Sequence, residues 1–302
     1  MLFKHKKTQI TDNFRDRLFL YFIYGVLTLL TVIILLPLIY VVAASFSDPQ
    51  AVISGKVFLW PVKPTLRGYE AVLTYKPILI GFRNSLIYLV LGTTVNISMT
   101  MLAAYALSRK EFKASRFLSV LFMITMIVSG GIVPLYLLVN ALHMDNTIWA
   151  MIIPNAISVW NLMIARTYIQ NQIPNDLYEV AAIDGCTPFG YFWRVVLPLS
   201  KPIIAVLSLY YGVAQWNSYF NAMLFINNPN LEPLQIKLRQ LLVLNTVDPT
   251  MITNVEQLIA KQGITDLLKF STIVVASLPV LLIYPLVQKH FVKGMMIGSV
   301  KG

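Results

Sequence analysis

Charged residues divide the chain into long uncharged intervals. There are none between Arg17 and Asp48, Arg83 and Arg109, Arg116 and Asp145, Asp145 and Arg166, Lys201 and Glu232, or Lys269 and Lys289. Each interval holds 19 to 30 residues, against the roughly 20 that a helix needs to cross the hydrocarbon core of a bilayer. The pattern predicts six transmembrane helices, over about 18–46, 82–108, 116–140, 147–168, 201–227 and 268–290. A chain in lipid must satisfy its backbone groups internally, so the fold class is an all-α membrane protein. A β-barrel would instead show alternating segments of about ten residues, shorter than these runs. Basic stretches, "KHKK" and "RDR", precede the first run. That run outlasts the roughly 7–15 apolar residues of a signal peptide, so it reads as a retained first helix.

Composition agrees: 57% of residues are hydrophobic and 12% charged, where soluble domains average about 25% charged. The net charge of +11 would suggest nucleic acid in a soluble protein. Here it is what basic residues at the cytoplasmic ends of spans produce, and no continuous polar domain exists to bind nucleic acid. With an even number of spans both termini share one side. Fifteen of the 24 Lys and Arg residues fall there: Lys4, Lys6, Lys7, Arg15, Arg17, Arg109, Lys110, Lys113, Arg116, Arg166, Arg194, Lys201, Lys289, Lys293 and Lys301. The tails 1–17 and 291–302 are therefore expected in the cytoplasm, flanking a membrane domain over 18–290. Longer loops, about 48–81 and 228–267, are expected outside. Cys186 is the single cysteine, which leaves no internal disulfide and no cysteine metal site. His5, His143 and His290 are far apart and read as interfacial residues, so no metal is expected.

One polar stretch needs a separate explanation. In "QIPNDLYEVAAIDGCTPFGYFWRVVLP", residues 172–198, Pro174 breaks a helix and Asn175 or Asp176 can cap a new one. Leu177–Ile183 is helical in type, and Gly185 is a left-handed stop. Thr187-Pro188 restarts the chain as cap and first helical residue. Phe189, Phe192, Trp193 and Val196 then form one apolar stripe, and Leu197-Pro198 ends it. The loop 174–200 thus reads as two short helices at a glycine bend on the cytoplasmic face. Small Ala181 and Ala182 stand beside acidic Glu179 and Asp184, which suits close approach by a basic protein partner. The alternative is an amphipathic hairpin lying in the headgroups, which usually presents Lys and Arg rather than acids.

These residues resemble the "EAA loop" of ATP-binding-cassette import permeases: Glu-Ala-Ala, three residues, Gly, nine residues, then Ile-x-Leu-Pro. Glu179, Val180 and Ala181, then Gly185, then Val195, Val196, Leu197 and Pro198 occupy the corresponding places, with Val for Ala at 180 and Val for Ile at 195. "SGGIVPLYLLVNALHMDNTIWAMIIPNAISVWNLMIARTYI" and "QWNSYF" resemble the carbohydrate-uptake branch, sugar permeases of the maltose-system type, and within it the polysaccharide and oligosaccharide group. The likeness spans about residues 15–300. It implies a type I importer permease fold and partnership with a homologous permease, two ATPase subunits and an extracellular solute-binding protein. It also implies an ATPase-coupling role for Glu179, Ala181, Ala182, Asp184, Gly185, Leu197 and Pro198. ATP and its magnesium would be used by the partner ATPase, with no cofactor on this chain.

Other readings fit less well. No G-x-x-x-x-G-K-[ST] occurs, so the chain has no phosphate-cradling loop of its own. "SGGIVP" at 129–134 reads as a helix kink beside a cavity or tight neighbour. "IDG" at 183–185 faintly resembles membrane phosphotransferases, yet Asp184 has no second Asp along its helix, so the chain is not read as an enzyme. An ion-coupled carrier would keep ionisable residues within its spans, and these spans lack them.

Polar residues inside spans are candidates for the translocation path. Span five places Ser208, Tyr211, Gln215, Ser218 and Tyr219 on one stripe, and Tyr210, Asn217 and Asn221 on another. Span two offers Thr93, Asn96 and Thr100; span four offers Asn155, Ser158 and Asn161. Amides and aromatics suit a sugar, so Asn155, Trp160, Tyr211, Gln215, Trp216, Asn217 and Tyr219 are the expected path residues. Hydrogen bonding between helices is the alternative for each.

Overall fold

The computed structural model describes residues 14–244, 265–283 and 285. Fourteen helices and no strand occur among them: α1 (Phe14–Ser45), α2 (Pro49–Ile53), α3 (Arg67–Thr74), α4 (Lys76–Ser108), α5 (Ser115–Ile127), α6 (Ile132–Ala141) and α7 (Ile148–Ile152). They continue with α8 (Val159–Gln172), α9 (Asp176–Ile183), α10 (Pro188–Leu199), α11 (Lys201–Trp216), α12 (Tyr219–Phe225), α13 (Leu234–Arg239) and α14 (Thr265–Ile283). The tail residues 1–13 and 286–302, much of the loop 228–267, and the end of the expected sixth span lie outside the described residues. His5, His290, Lys289, Lys293 and Lys301 are among them.

Two compact units can be distinguished. In the first, α1 is a 32-residue helix whose apolar side chains are almost all exposed, as befits a lipid-facing span. The chain then turns back on itself. Asp48 caps α2 by accepting from Gln50 N–H at 3.1 Å, and Pro49 fills the first helical position. The Asp48 and Thr65 amides donate to Val62 and Phe46 carbonyls, and Val62 N–H donates to Ser47 Oγ at 3.0 Å. Ser45 Oγ shares a 2.8 Å hydrogen bond with Tyr69 OH.

In the second unit, α4 is the central element. It packs along both α8 and α11. Ala104 on α4 and Ala165 on α8 are fully buried, so small side chains bring the helices close, with Met101, Leu107, Leu162 and Leu207 filling the space around them. Residues Tyr88–Gly92 form a π-helical turn within α4. Gly92, at the end of that turn, leaves room for Gln215 of α11: a Cβ there would lie 2.6 Å from its Cδ.

By length and composition α1, α4 and α14 are each able to cross a membrane. Two bent pairs, α5 with α6 and α10 with α11, would bring the number to five if each pair were one span. The expected runs differ in three places. Run 116–140 is two helices meeting at 116°. Gly131 takes φ +85°, and its N–H is held by Ser129 Oγ at 3.2 Å. This is a reversal rather than a kink, and Gly130 meets open space rather than a tight neighbour. Run 147–168 is interrupted between α7 and α8, where Pro154 has no N–H to extend a helix. Run 201–227 breaks at Asn217 and Ser218, where Tyr219 N–H turns back onto Asn217 O at 2.7 Å.

Candidate functional site

The stretch 174–200 forms an elbow. Helix α9 ends at Gly185, which takes φ +75°. Cys186 N–H donates to Ala181 O at 2.8 Å and Gly185 N–H to Ala182 O at 3.1 Å. This is the paired stop in which a left-handed residue lets two amides satisfy the last free carbonyls of the helix. Thr187 then caps α10, its Oγ1 accepting from Gly190 N–H at 3.1 Å, with Pro188 at the first helical position.

Three local expectations need correction. Asn175 does not cap α9. It stands at the cap position with a helix-like backbone, but its side chain bonds no free amide, and its Nδ2 lies 3.4 Å from Glu179 Oε1. Leu197-Pro198 does not end the second helix, which runs to Leu199 and bends by 80° into α11 at buried Ser200. A π-helical turn at Phe192–Val196 rotates the apolar face. Tyr191, Phe192 and Val196 are consequently buried, while Phe189 and Trp193 are exposed and pack edge to face with ring centroids 6.0 Å apart.

Glu179, Val180, Ala182, Ile183, Asp184 and Gly185 are all exposed, and Ile183 is 85% exposed. Ala181 is half-buried against the core. Leu197 is half-buried and Pro198 exposed. The elbow thus exposes the acids Asp176, Glu179 and Asp184 beside Val180, Ala182 and Ile183.

What fixes the elbow to the bundle is a group of residues that sequence reading did not single out. Arg109, one residue past the end of α4, lies with its guanidinium carbon 3.7 Å from the Tyr178 ring centroid, 5.7 Å from that of Tyr191 and 6.0 Å from that of Tyr105. A 3.3 Å ion pair with Glu111 completes its surroundings. Tyr105 OH donates to Pro188 O at 3.0 Å, and Tyr178 meets Tyr191 edge to face at 5.2 Å. Arg166 Nε donates to Leu107 O at 3.0 Å, tying α8 to the same end of α4. Burial pushes the Tyr191 phenol up from its ordinary pKa, and the nearby Arg109 charge partly offsets this. The available signal was Tyr105 and Arg109 at i, i+4 where span two meets its basic loop. Their partners Tyr178 and Tyr191 are too distant in sequence for any local pattern to reveal.

The expected path residues separate into two groups. Tyr211, Gln215 and Trp216 are buried. Tyr211 OH shares a 2.6 Å hydrogen bond with Thr100 Oγ1 and accepts from Ser158 N–H at 3.0 Å, joining α4, α8 and α11. Trp216 Nε1 donates to Ala276 O at 3.0 Å, and its ring meets Phe82 edge to face. Asn155, Trp160 and Asn217 are exposed, and Tyr219 is half-buried. In this conformation the first group packs helices together and the second faces outward.

The segment 228–244, part of an expected outer loop, also packs on the bundle. Asn84 Nδ2 donates to Asn230 O and Glu232 O at 2.7 and 3.0 Å, Tyr88 OH to Leu231 O at 2.7 Å, and Leu234 N–H to Ser85 Oγ at 2.9 Å. Buried Lys237 is paired with Glu232, which also accepts from Gln240.

With this geometry in view, comparison with known proteins identifies the family. Residues 96–297 match the family described as "Binding-protein-dependent transport system inner membrane component". The chain belongs to that family. It is 41% identical over 271 residues to Protein LplC of Bacillus subtilis (strain 168), covering 89% of this chain and 90% of LplC. It is 40% identical over 288 residues to the polygalacturonan/rhamnogalacturonan transport system permease protein YtcP of the same organism, covering 95% of this chain and all of YtcP. Its fold resembles a chain in the crystal structure of a bacterial ABC transporter involved in the import of the acidic polysaccharide alginate. The TM-score is 0.85 at 28% identity, with 92% of this chain and 98% of that one covered. The chain is therefore an inner-membrane permease component of an ABC transport system, as the elbow residues implied.

Proposed function

We propose that this chain is one of two pore-forming subunits of an ATP-driven importer of oligosaccharides. It would have six transmembrane helices and both termini in the cytoplasm. A homologous permease completes the pore, two ATPase subunits hydrolyse ATP with magnesium, and an extracellular binding protein delivers the sugar. The names of YtcP and of the alginate transporter support the carbohydrate cargo.

One observation carries the reading: the elbow is tied to the bundle at its base and exposed on its outer face. Its backbone is closed by a glycine stop, and its base is stacked on Arg109 and bonded to Tyr105. Its outer face nevertheless presents Glu179, Ile183 and Asp184 to solvent. A short helix stiffly joined to α4 and α11 transmits a push without yielding. Closure of the ATPase pair on ATP would displace α9 and switch the bundle from inward-open to outward-open. Glu179→Lys tests this in the complete transporter reconstituted in proteoliposomes. The variant should insert normally, retain less ATPase on purification and lose ATP-dependent uptake. Uptake at the wild-type rate would overturn the assignment of the elbow as the docking surface.

A further inference from the structure

The break in the expected fifth span gathers four polar side chains that the coupling mechanism does not use. Asn217 is exposed at the break itself, where the helix stops and Tyr219 starts the next one. Gln235 and Arg239 stand four residues apart on α13, one turn above each other. Gln235 Nε2 lies 3.5 Å from Asn217 Oδ1, and the Arg239 guanidinium carbon lies 5.3 Å from the Tyr219 ring centroid. The opposite face of α13 is anchored: Leu234, Lys237 and Leu238 are buried, and Gly81 of α4 leaves room for the Leu234 backbone at 3.1 Å.

Arg239 is exposed and lacks a carboxylate partner among the described residues. Its Nη1 instead donates to Met223 Sδ at 3.0 Å, and Tyr219 OH donates to the same sulfur at 3.1 Å. A thioether is a weak acceptor, so most of the five guanidinium donors remain for a ligand. Glu232, the one acid between Gly185 and Val247, is already occupied by Lys237 and Gln240.

A broken helix with an exposed amide does not survive against lipid. Irregular backbone at membrane depth is tolerated where it is buried in protein or lines water. Asn217 is exposed at the break, at the end of α11 away from the elbow, where water or a partner chain rather than lipid suits its amide. Amides suit hydroxyls, a tyrosine ring suits the apolar face of a pyranose, and a free guanidinium is matched by a carboxylate in a planar, two-pronged pair. We infer that Asn217, Tyr219, Gln235 and Arg239 form a subsite for an acidic sugar unit, a uronate, with Arg239 taking its carboxylate. The inference rests on the reading of the chain as an oligosaccharide permease.

The test uses the complete transporter with its binding protein in proteoliposomes and two probes: a galacturonate trisaccharide and the same trisaccharide with its carboxylates methyl-esterified. Arg239→Gln should slow ATP-dependent uptake of the free acid about tenfold, the scale of one charged hydrogen bond. It should leave the ratio of variant to wild type near one for the ester, and Arg239→Lys should restore part of the loss. Equal loss for both probes, or loss of the partner permease on purification, would make Arg239 a structural or subunit contact and overturn the subsite. So would unchanged uptake of the free acid. If the wild-type transporter takes up neither probe, the uronate subsite fails; failure to take up neutral oligosaccharides as well would overturn the oligosaccharide reading on which it rests.

Discussion

Asn84 shows how much of the second unit depends on single side chains, at the end of the bundle away from the elbow. Its amide makes two hydrogen bonds to carbonyls of 230 and 232, and it is buried on α4. Asn84→Ala should leave two carbonyls unsatisfied and cost roughly 1–3 kcal/mol. It should also expose the segment 228–244 to protease. Faster cleavage there, with a lowered unfolding temperature in detergent, is the expected result; an unchanged digestion pattern would show that Asn84 does not hold the segment. Gly81→Val should act similarly by a different route. A Cβ at that position would stand 3.0 Å from Lys237 Cγ and 3.1 Å from Leu234 Cα, and the bulk beyond it should cost about 1–3 kcal/mol from overpacking. Neither effect was legible in the sequence. A polar residue in an apolar run signals some hydrogen bond, but not its partner. The Tyr211 hydroxyl illustrates the same limit. Its helical stripe suggested either a wet path or a helix contact, and only the positions of Thr100 and Ser158 decide for the contact in this conformation.

Helices and their ends were more readable, because caps and stops are local. Gly185 and Thr187-Pro188 mark the elbow from within ten residues of chain, and the glycine takes the left-handed conformation that its place requires. Gly185→Pro should therefore abolish the bend, since proline is fixed near φ −65° and lacks the N–H that reaches Ala182 O. Membrane insertion should persist while ATP-dependent uptake is lost; uptake equal to wild type would mean that the bend is not used. Arg109→Gln separates stacking from docking. It removes the cation from the rings of Tyr178 and Tyr191 without touching the exposed acids. ATPase should still co-purify, with uptake per ATP hydrolysed reduced several-fold; an unchanged ratio would remove Arg109 from the coupling route. The breaks were only partly visible. Pro154 announces one, Gly131 announces a kink but not a 116° reversal, and Asn217-Ser218 carries no sequence signal as strong as either. The π-helical turns in α4 and α10 depend on what packs beside them, which is why Phe192 and Val196 of the expected stripe are buried while Phe189 and Trp193 are exposed.

For the whole molecule, the spacing of charges was enough to place a helical protein in a membrane, and a twenty-residue motif was enough to find its family. Which faces are wet and which end carries the acidic elbow follow from long-range packing and from partner chains. The central claim is that the elbow projects into the cytoplasm and is covered there by the ATPase. Cys186, the single cysteine, is half-buried at the third residue past the end of α9 and reports on this without any substitution. Its labelling by a membrane-impermeant maleimide should be measured in intact spheroplasts and in inverted vesicles, with and without bound ATPase. Reaction in inverted vesicles alone, slowed when the ATPase is present, is the predicted result; labelling from the outside of intact spheroplasts would contradict it.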